Sequence, residues 1–255
     1  MLNRFEGKVI AIGGGAGGIG GATSRRLAEE GATVIVGDIN LSDAEQVAAD
    51  IAAKGGRARP FKLDIGDEDS VKALVEVAVA EFGGLDGFFA NALDASLRDD
   101  DIDPTTMDMA TYDAFMHVNM RSYFLCTRHA VPRIIERGGG CMLYTSSGAA
   151  YVGMDTKPLY AMAKSGIHAL ARHVASRFGK RGVRGNVIAP GLMLHPAVLA
   201  TMGQEFIDGV MERVKTPRLG TPEDIAAMAA LLLSDEGQFV TGQVISVDGG
   251  NTMRA

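Results

Sequence analysis

Along the chain, short runs of β-branched and other apolar residues alternate with longer stretches whose apolar positions recur at helical spacing. That alternation marks parallel strands joined by crossover helices. Strands are predicted over 8–12, 33–37, 58–63, 86–90, 140–146, 183–189 and 243–247. The expectation is an α/β fold, a doubly wound parallel sheet of seven strands with helices on both faces, forming one domain over 1–255. Helix starts agree with this parse. Ser42 with Glu45 reads as a capping box, and Thr221-Pro222-Glu223-Asp224 supplies an N-cap, a proline at the first helical position and early acids. No linker, repeat or low-complexity tract divides the chain. The segment 190–217 has weak periodicity and carries Met193, Met202, Phe206 and Met211, so a lid over a substrate is expected there.

The first strand runs into Gly13-Gly14-Gly15-Ala16-Gly17-Gly18-Ile19-Gly20-Gly21, followed by a helix to Glu30. Glycines at that place let the backbone turn sharply and bring a pyrophosphate to the helix N-terminus, where unpaired N–H groups favour anions. Several registers of G-x-G-x-x-G fit so dense a run. Strand two ends in Gly37-Asp38, eighteen residues after Gly20. A carboxylate there accepts both ribose hydroxyls of NAD and repels the 2′-phosphate of NADP, and neither Gly17 nor Ile39 offers that phosphate a cation. NAD is the coenzyme expected.

Tyr160 and Lys164 stand four apart in a predicted helix, which sets both side chains on one face. Ser147 lies thirteen residues before the tyrosine, at the end of the run Cys141-Met142-Leu143-Tyr144-Thr145. A free phenol titrates near pH ~10, and a positive charge at ~4 Å in a partly buried site supplies about 4 kcal/mol toward making it a base near neutrality.

Composition narrows the partners. Hydrophobic residues make up 47% of the chain and charged residues 22%, with 33 glycines, as in a globular protein rich in tight turns. A formal charge of −6 and a pI near 5.4, without a cluster of Lys and Arg, argue against a nucleic-acid surface. Met1 to Gly7 lead at once into the first strand, too short for a signal peptide or membrane span, so the cytoplasm is the expected compartment. Cys126 and Cys141 read as buried free thiols, and the five histidines form no metal-ligand set. Asp99-Asp100-Asp101 with Asp103 reads as a solvated, charged loop.

Taken together, these landmarks resemble the short-chain dehydrogenase/reductase family, whose fold is a Rossmann-type sheet, over essentially the whole chain. The family's glycine motif maps onto Gly13-Gly14 through Gly18 and Gly20, with Ile19 beside them, and its adenine-side acid onto Asp64 followed by Ile65. Asn119, Ser147, Tyr160 and Lys164 match the family's catalytic tetrad. Pro190-Gly191 matches the turn after strand six, and Val247-Asp248-Gly249-Gly250 the C-terminal strand. The resemblance implies that Tyr160 is the general acid/base, that Lys164 lowers its pKa and holds the nicotinamide ribose, and that Ser147 orients the substrate oxygen. It implies that Asn119 bends its helix and anchors water in a proton relay through Lys164. Asn91 and Met193 join the coenzyme side by the same resemblance. A homotetramer is implied too, supported by surplus apolar residues on the helices of 111–137 and 158–179.

Departures from the family pattern fall on three places. Ala90-Asn91-Ala92-Leu93 replaces N-N-A-G, Gly13 replaces a threonine whose hydroxyl braces that loop, and His195 stands where a threonine usually bonds the carboxamide. The substrate side is expected to include Leu93, Ala149, Ala150, Tyr151, Met154, Leu194, His195, Met202 and Phe206, an apolar lining suited to a medium-sized alicyclic, aromatic or terpenoid-like alcohol or ketone. Asp155 and Lys157 would serve a polar substrate instead. The reading is an NAD-dependent oxidoreductase acting on secondary alcohols and ketones. Its rivals are an NADPH-dependent ketoacyl-type reductase and a dinucleotide-binding sensor that has lost catalysis.

Overall fold

The structure, a computed structural model, describes residues 3–94, 96 and 100–253. Its strands are β1 Val9–Gly13, β2 Thr33–Asp38, β3 Arg57–Lys62, β4 Gly87–Ala90, β5 Gly140–Thr145, β6 Val183–Pro190 and β7 Val244–Val247. They form one parallel sheet in the order β3-β2-β1-β4-β5-β6-β7. The order reverses at β1, which pairs with both β2 and β4. At such a reversal the connections leave in opposite directions, and the carboxyl ends of the strands open a crevice between them.

Helices α1 Gly18–Glu29, α2 Leu41–Ala53, α3 Glu68–Phe82, α4 Met109–Met116, α5 Ser122–Glu136, α6 Pro158–Phe178, α7 Pro196–Thr201, α8 Gln204–Arg213 and α9 Pro222–Leu233 complete the fold. One core packs Leu74 of α3, Tyr123 of α5 and Ile167 of α6 against Ala11 and Met142. The other packs Leu27 of α1, Val47 of α2 and Ile225 of α9 against Ile10 and Leu143. Neighbouring strand residues point to opposite faces, so the near-continuous apolar runs read from the sequence are what a sheet covered on both sides requires.

Two local expectations change. Ser42 lies inside α2, and Asn40 occupies the N-cap, with Ser42 Oγ donating to Asn40 Oδ1 at 2.8 Å and Asn40 Nδ2 donating to Asp43 at 2.8 Å. Asn40 caps without a side-chain bond to the helix N–H groups, its amide being held by the Ser42 and Asp43 side chains instead. The acidic loop is not simply solvated either. Asp99 lies outside the described residues, but Asp101 is buried at 1% exposure, its carboxylate bonded to the start of α6. At Thr221 the sequence reading holds, with Pro222 opening α9 and Asp224 accepting the Thr221 N–H at 2.8 Å.

Between α4 and α5 the helix widens into one π turn, His117–Arg121, with Asn119 in its middle. The extra residue per turn re-aims the side chains that follow. Cys126 and Cys141 are buried free thiols.

Candidate active site

A cavity of about 1090 Å³ runs along the carboxyl ends of the strands, from Asp38 and Asp64 at one end to Asn251 and Thr252 at the other. Its floor near β1 is the glycine turn. Gly14 sits at φ 73°, and a Cβ there would lie 2.7 Å from the Ala92 backbone. Gly20 lies beneath the turn and does not line the cavity, because a Cβ at Gly20 would meet the Gly14 carbonyl oxygen at 1.8 Å. A Cβ at Gly17, by contrast, would meet nothing within 4 Å. Gly14, Gly18 and Ile19 face the cavity, and the first turn of α1 carries no acid, so its N–H groups suit a diphosphate.

Asp38 ends β2. One carboxylate oxygen accepts the Ala16 N–H and the other the Asn40 N–H, each at 3.1 Å, so the acid is tied to the glycine turn. Its neighbour Ile39 is 62% exposed and lines the cavity. Asp64 accepts the Gly66 N–H at 2.9 Å, and Ile65 is buried beside it. Asn91, Pro190, Gly191 and Met193 also line this cavity. These residues fit a dinucleotide: a glycine cradle with open space, a helix start and a carboxylate at the end of β2.

Asn91 also explains how the loop tolerates Gly13. Its Nδ2 donates to the Gly14 carbonyl at 3.1 Å, its Oδ1 accepts from Thr145 Oγ1 at 2.8 Å, and Tyr123 Oη donates to the Ala92 carbonyl at 3.0 Å. The loop is thus held from β5 through Thr145 and from α5 through Tyr123.

Lys164 is 1% exposed. Its Nζ donates to Tyr123 Oη and to the Thr145 carbonyl, both at 3.0 Å, and lies 5.8 Å from the centre of the Tyr160 ring. Burial pushes the lysine down to about 7. Ser147 follows β5, its Oγ accepting the Ala149 N–H at 3.2 Å. Tyr160, Lys164 and Ser147 all line the cavity. Asn119 does not. Its Oδ1 accepts the Asp94 N–H and its Nδ2 donates to the Asp94 carbonyl, each at 3.0 Å, which ties its side chain to the loop after Leu93.

Of the residues expected on the substrate side, Leu93, Ala149, Met154, Met202 and Phe206 line the cavity. Leu194 does not, because its side chain packs with Ile207, Val210 and Leu219 in a small core while its N–H donates to the Gly220 carbonyl at 2.8 Å. Ala150, Tyr151 and Met211 are also absent from the lining, Tyr151 stacking on His168 with ring centres 5.0 Å apart. His195 lines the cavity at the glycine turn, its ring Nε2 3.4 Å from where a Cβ on Gly18 would lie. This places the imidazole beside the glycine turn. The sequence reading missed Tyr123 and Arg213. Tyr123 follows the π turn, so α-helical spacing from Asn119 does not reveal it, whereas Arg213 stands seven residues after Phe206, a spacing that sets both on one helical face.

A family model described as enoyl-(acyl carrier protein) reductase matches residues 14–252. The 7α-hydroxysteroid dehydrogenase of Bacteroides fragilis is 34% identical over 252 residues, covering 99% of this chain and 97% of that relative. The chain belongs to the short-chain dehydrogenase/reductase family. Cyclohexanol dehydrogenase of an Acinetobacter species is 34% identical over 255 residues, covering 100% of this chain and 98% of that protein. A solved 7α-hydroxysteroid dehydrogenase, complexed with NADH and 7-oxo glycochenodeoxycholic acid, superposes with a TM-score of 0.92 at 31% identity, covering 99% of this chain and 97% of that one. The present short-chain dehydrogenase/reductase is thus an oxidoreductase of the alcohol and ketone class, with a Rossmann-type sheet that takes a nicotinamide dinucleotide. No helix among its described residues is long and apolar enough to cross a membrane.

Proposed function

We propose that the protein is an NAD(H)-dependent dehydrogenase that interconverts a secondary alcohol and a ketone on a medium-sized, mostly apolar substrate. Asp38 carries the coenzyme choice. Its carboxylate is fixed at the end of β2 by the Ala16 and Asn40 N–H groups, and its neighbour in the lining is the uncharged Ile39. The lysines and arginine of the lining, Lys157, Lys164 and Arg213, all belong to other segments. A 2′-phosphate at Asp38 would meet repulsion and no compensating cation.

When bound, the nicotinamide accepts or gives the hydride. Tyr160 takes the hydroxyl proton in oxidation and returns it in reduction, and Ser147 holds the same substrate oxygen by a hydrogen bond. Lys164 has three donors, two of them engaged by Tyr123 and Thr145, which leaves one for the ribose or the Tyr160 phenolate. A phenolate and an ammonium stabilise each other, so the lysine is held in its charged form when the tyrosine gives up its proton, whereas beside a neutral tyrosine burial favours the free amine. Asn119 holds the Asp94 backbone and so shapes the cavity wall behind Leu93.

Apolar lining residues Leu93, Val152, Met154, Met202, Phe206 and Val210 suit an alicyclic body. The relatives named for hydroxysteroid and cyclohexanol oxidation point the same way. Residues 190–217, containing α7 and α8, act as the lid of a single catalytic domain. Exposed Phe124 on α5, Met162 on α6 and fully exposed Phe239 fit contacts between copies in a homotetramer.

The test is coenzyme reduction on a panel of alicyclic secondary alcohols with NAD and NADP. Turnover is expected with NAD, and Tyr160→Phe should abolish it while coenzyme still binds. Binding without turnover on any alcohol would favour a dinucleotide sensor. Preference for NADP with carrier-bound ketoacyl substrates would favour the ketoacyl-type reductase.

A further inference from the structure

The Ser147 end of the cavity holds a cation that the reaction does not use. Phe206, Val210 and Arg213 of α8 stand at i, i+4 and i+7, share one helical face, and all line the cavity. Among the described residues Arg213 has no ion pair or hydrogen bond through its side chain, whereas the next arginine, Arg218, is paired with Asp224 at 2.6 Å. Position along the cavity follows from the C-terminal turn. Lys215 N–H donates to the Gly249 carbonyl at 2.7 Å, and Val214 lies 3.4 Å from where a Cβ on Gly249 would be, so the end of α8 is pinned to that turn. From the same turn Asn251 and Thr252 reach the cavity, and the Thr252 methyl lies 3.7 Å from where a Cβ on Gly148, beside Ser147, would be. Arg213 therefore stands at the substrate end, across apolar lining from the reacting groups, and away from Asp38 and Asp64. Asp94, the acid on the Leu93 loop, is engaged by the Ser96 N–H at 2.8 Å.

We propose that the substrate carries an anionic group, a carboxylate in the simplest case, remote from its reacting carbon, and that Arg213 binds it. The proposal rests on the alcohol-oxidising reading of this cavity. A guanidinium presents a planar fork of donors that matches a carboxylate with two parallel hydrogen bonds. A wholly neutral, apolar substrate gains nothing from a cation in this place. In a chain whose formal charge is −6, anions are repelled overall, so an exposed, unpaired arginine in the lining of a mostly apolar cavity selects for one.

The test compares carboxylate substrates with their methyl esters, using 4-hydroxycyclohexanecarboxylate and a hydroxysteroid with a carboxylate side chain. Wild-type enzyme with coenzyme should favour each acid over its ester in kcat/KM. Arg213→Ala should lower that acid-to-ester ratio about tenfold or more, mainly through KM; Arg213→Lys should restore part of it and Arg213→Glu should invert it. Calorimetric binding of the acids to the coenzyme complex gives a readout independent of turnover. Acid binding that is lost in Arg213→Ala, without turnover in the wild type, would sustain the anion site and sink the catalytic reading. An unchanged ratio in Arg213→Ala, preference for the esters, or no binding of either carboxylate by the wild type would overturn the proposal. A sulfate ester in place of the carboxylate, bound more tightly and with the same dependence on Arg213, would assign the site to that anion.

Discussion

The backbone N–H of Tyr160 donates to Asp101 Oδ2 at 2.9 Å, and the N–H of Leu159 donates to Oδ1 at 2.9 Å. Asp101 thus caps α6 from a distant loop, just after Lys157, which holds a left-handed φ of 70° at the helix start. The carboxylate satisfies two orphan donors and complements the helix dipole. Asp101→Ala should cost about 1–2 kcal/mol in stability. It should also lower kcat more than it weakens coenzyme binding, because the tyrosine moves with the first helical turn. Asp101→Asn or Asp101→Ser should recover part of both losses. Urea unfolding together with kcat and coenzyme titration checks this, and a variant with lost stability but unchanged kcat would reduce Asp101 to a structural cap.

Lys164 makes a second prediction, on pH. Burial pushes it from its ordinary 10.5 down to about 7, whereas the unfolded chain keeps the ordinary value. Between those values the unfolded chain binds one more proton than the folded one, so this group makes stability rise with pH across that window and contributes no slope below it. The difference in denaturant midpoint between wild type and Lys164→Met should therefore move in favour of the wild type from pH ~7 toward pH ~9. A difference that is constant, or moves the other way, would show that the amine keeps its proton in the folded state.

Coenzyme choice should be reversible at two adjacent positions. Asp38→Ser with Ile39→Arg removes the carboxylate and adds a cation where the exposed Ile39 side chain already borders the cavity. NADP(H) affinity should rise, and NAD(H) affinity fall, each by about tenfold, roughly 1.4 kcal/mol. Paired fluorescence titrations measure both. Tighter NADP(H) binding by the unmodified protein would remove the basis for the choice.

Hydrogen exchange tests the lid. Ile207, Val210 and Leu219 form a core of their own, separate from the two sheet cores, whereas Met193 is buried with β1 and β5, so α7 and α8 are the part of 190–217 that can open without disturbing those strands. Exchange in 190–217 should slow on adding NAD, and slow further with substrate, while the strands change little. Met202→Ala or Phe206→Ala should raise KM more than it lowers the unfolding midpoint. Full protection without ligand would make the segment a fixed wall.

The sequence by itself determined the sheet and the line of residues along its open edge. Apolar runs at 33–37 and 183–189 are long enough to be covered on both faces, and the glycines after β1 admit a backbone approach that a Cβ would block. Strand ends shift by a residue or so in the structure, because ladder hydrogen bonds, and not side-chain pattern, decide where pairing stops. The i, i+4 relation of Tyr160 and Lys164 was legible for the same reason: local geometry fixes it. What Lys164 bonds to was not. Tyr123 and the Thr145 carbonyl reach its Nζ from α5 and β5, and the pairing of Asn119 with Asp94 joins segments 25 residues apart. The Asp101 cap crosses 58 residues to Leu159, and Arg213 reaches the substrate end only because α8 is pinned to the C-terminal turn. Periodicity records which face of an element is buried, whereas the partner of a buried polar group depends on which elements the chain packs together, and only the tertiary structure decides that.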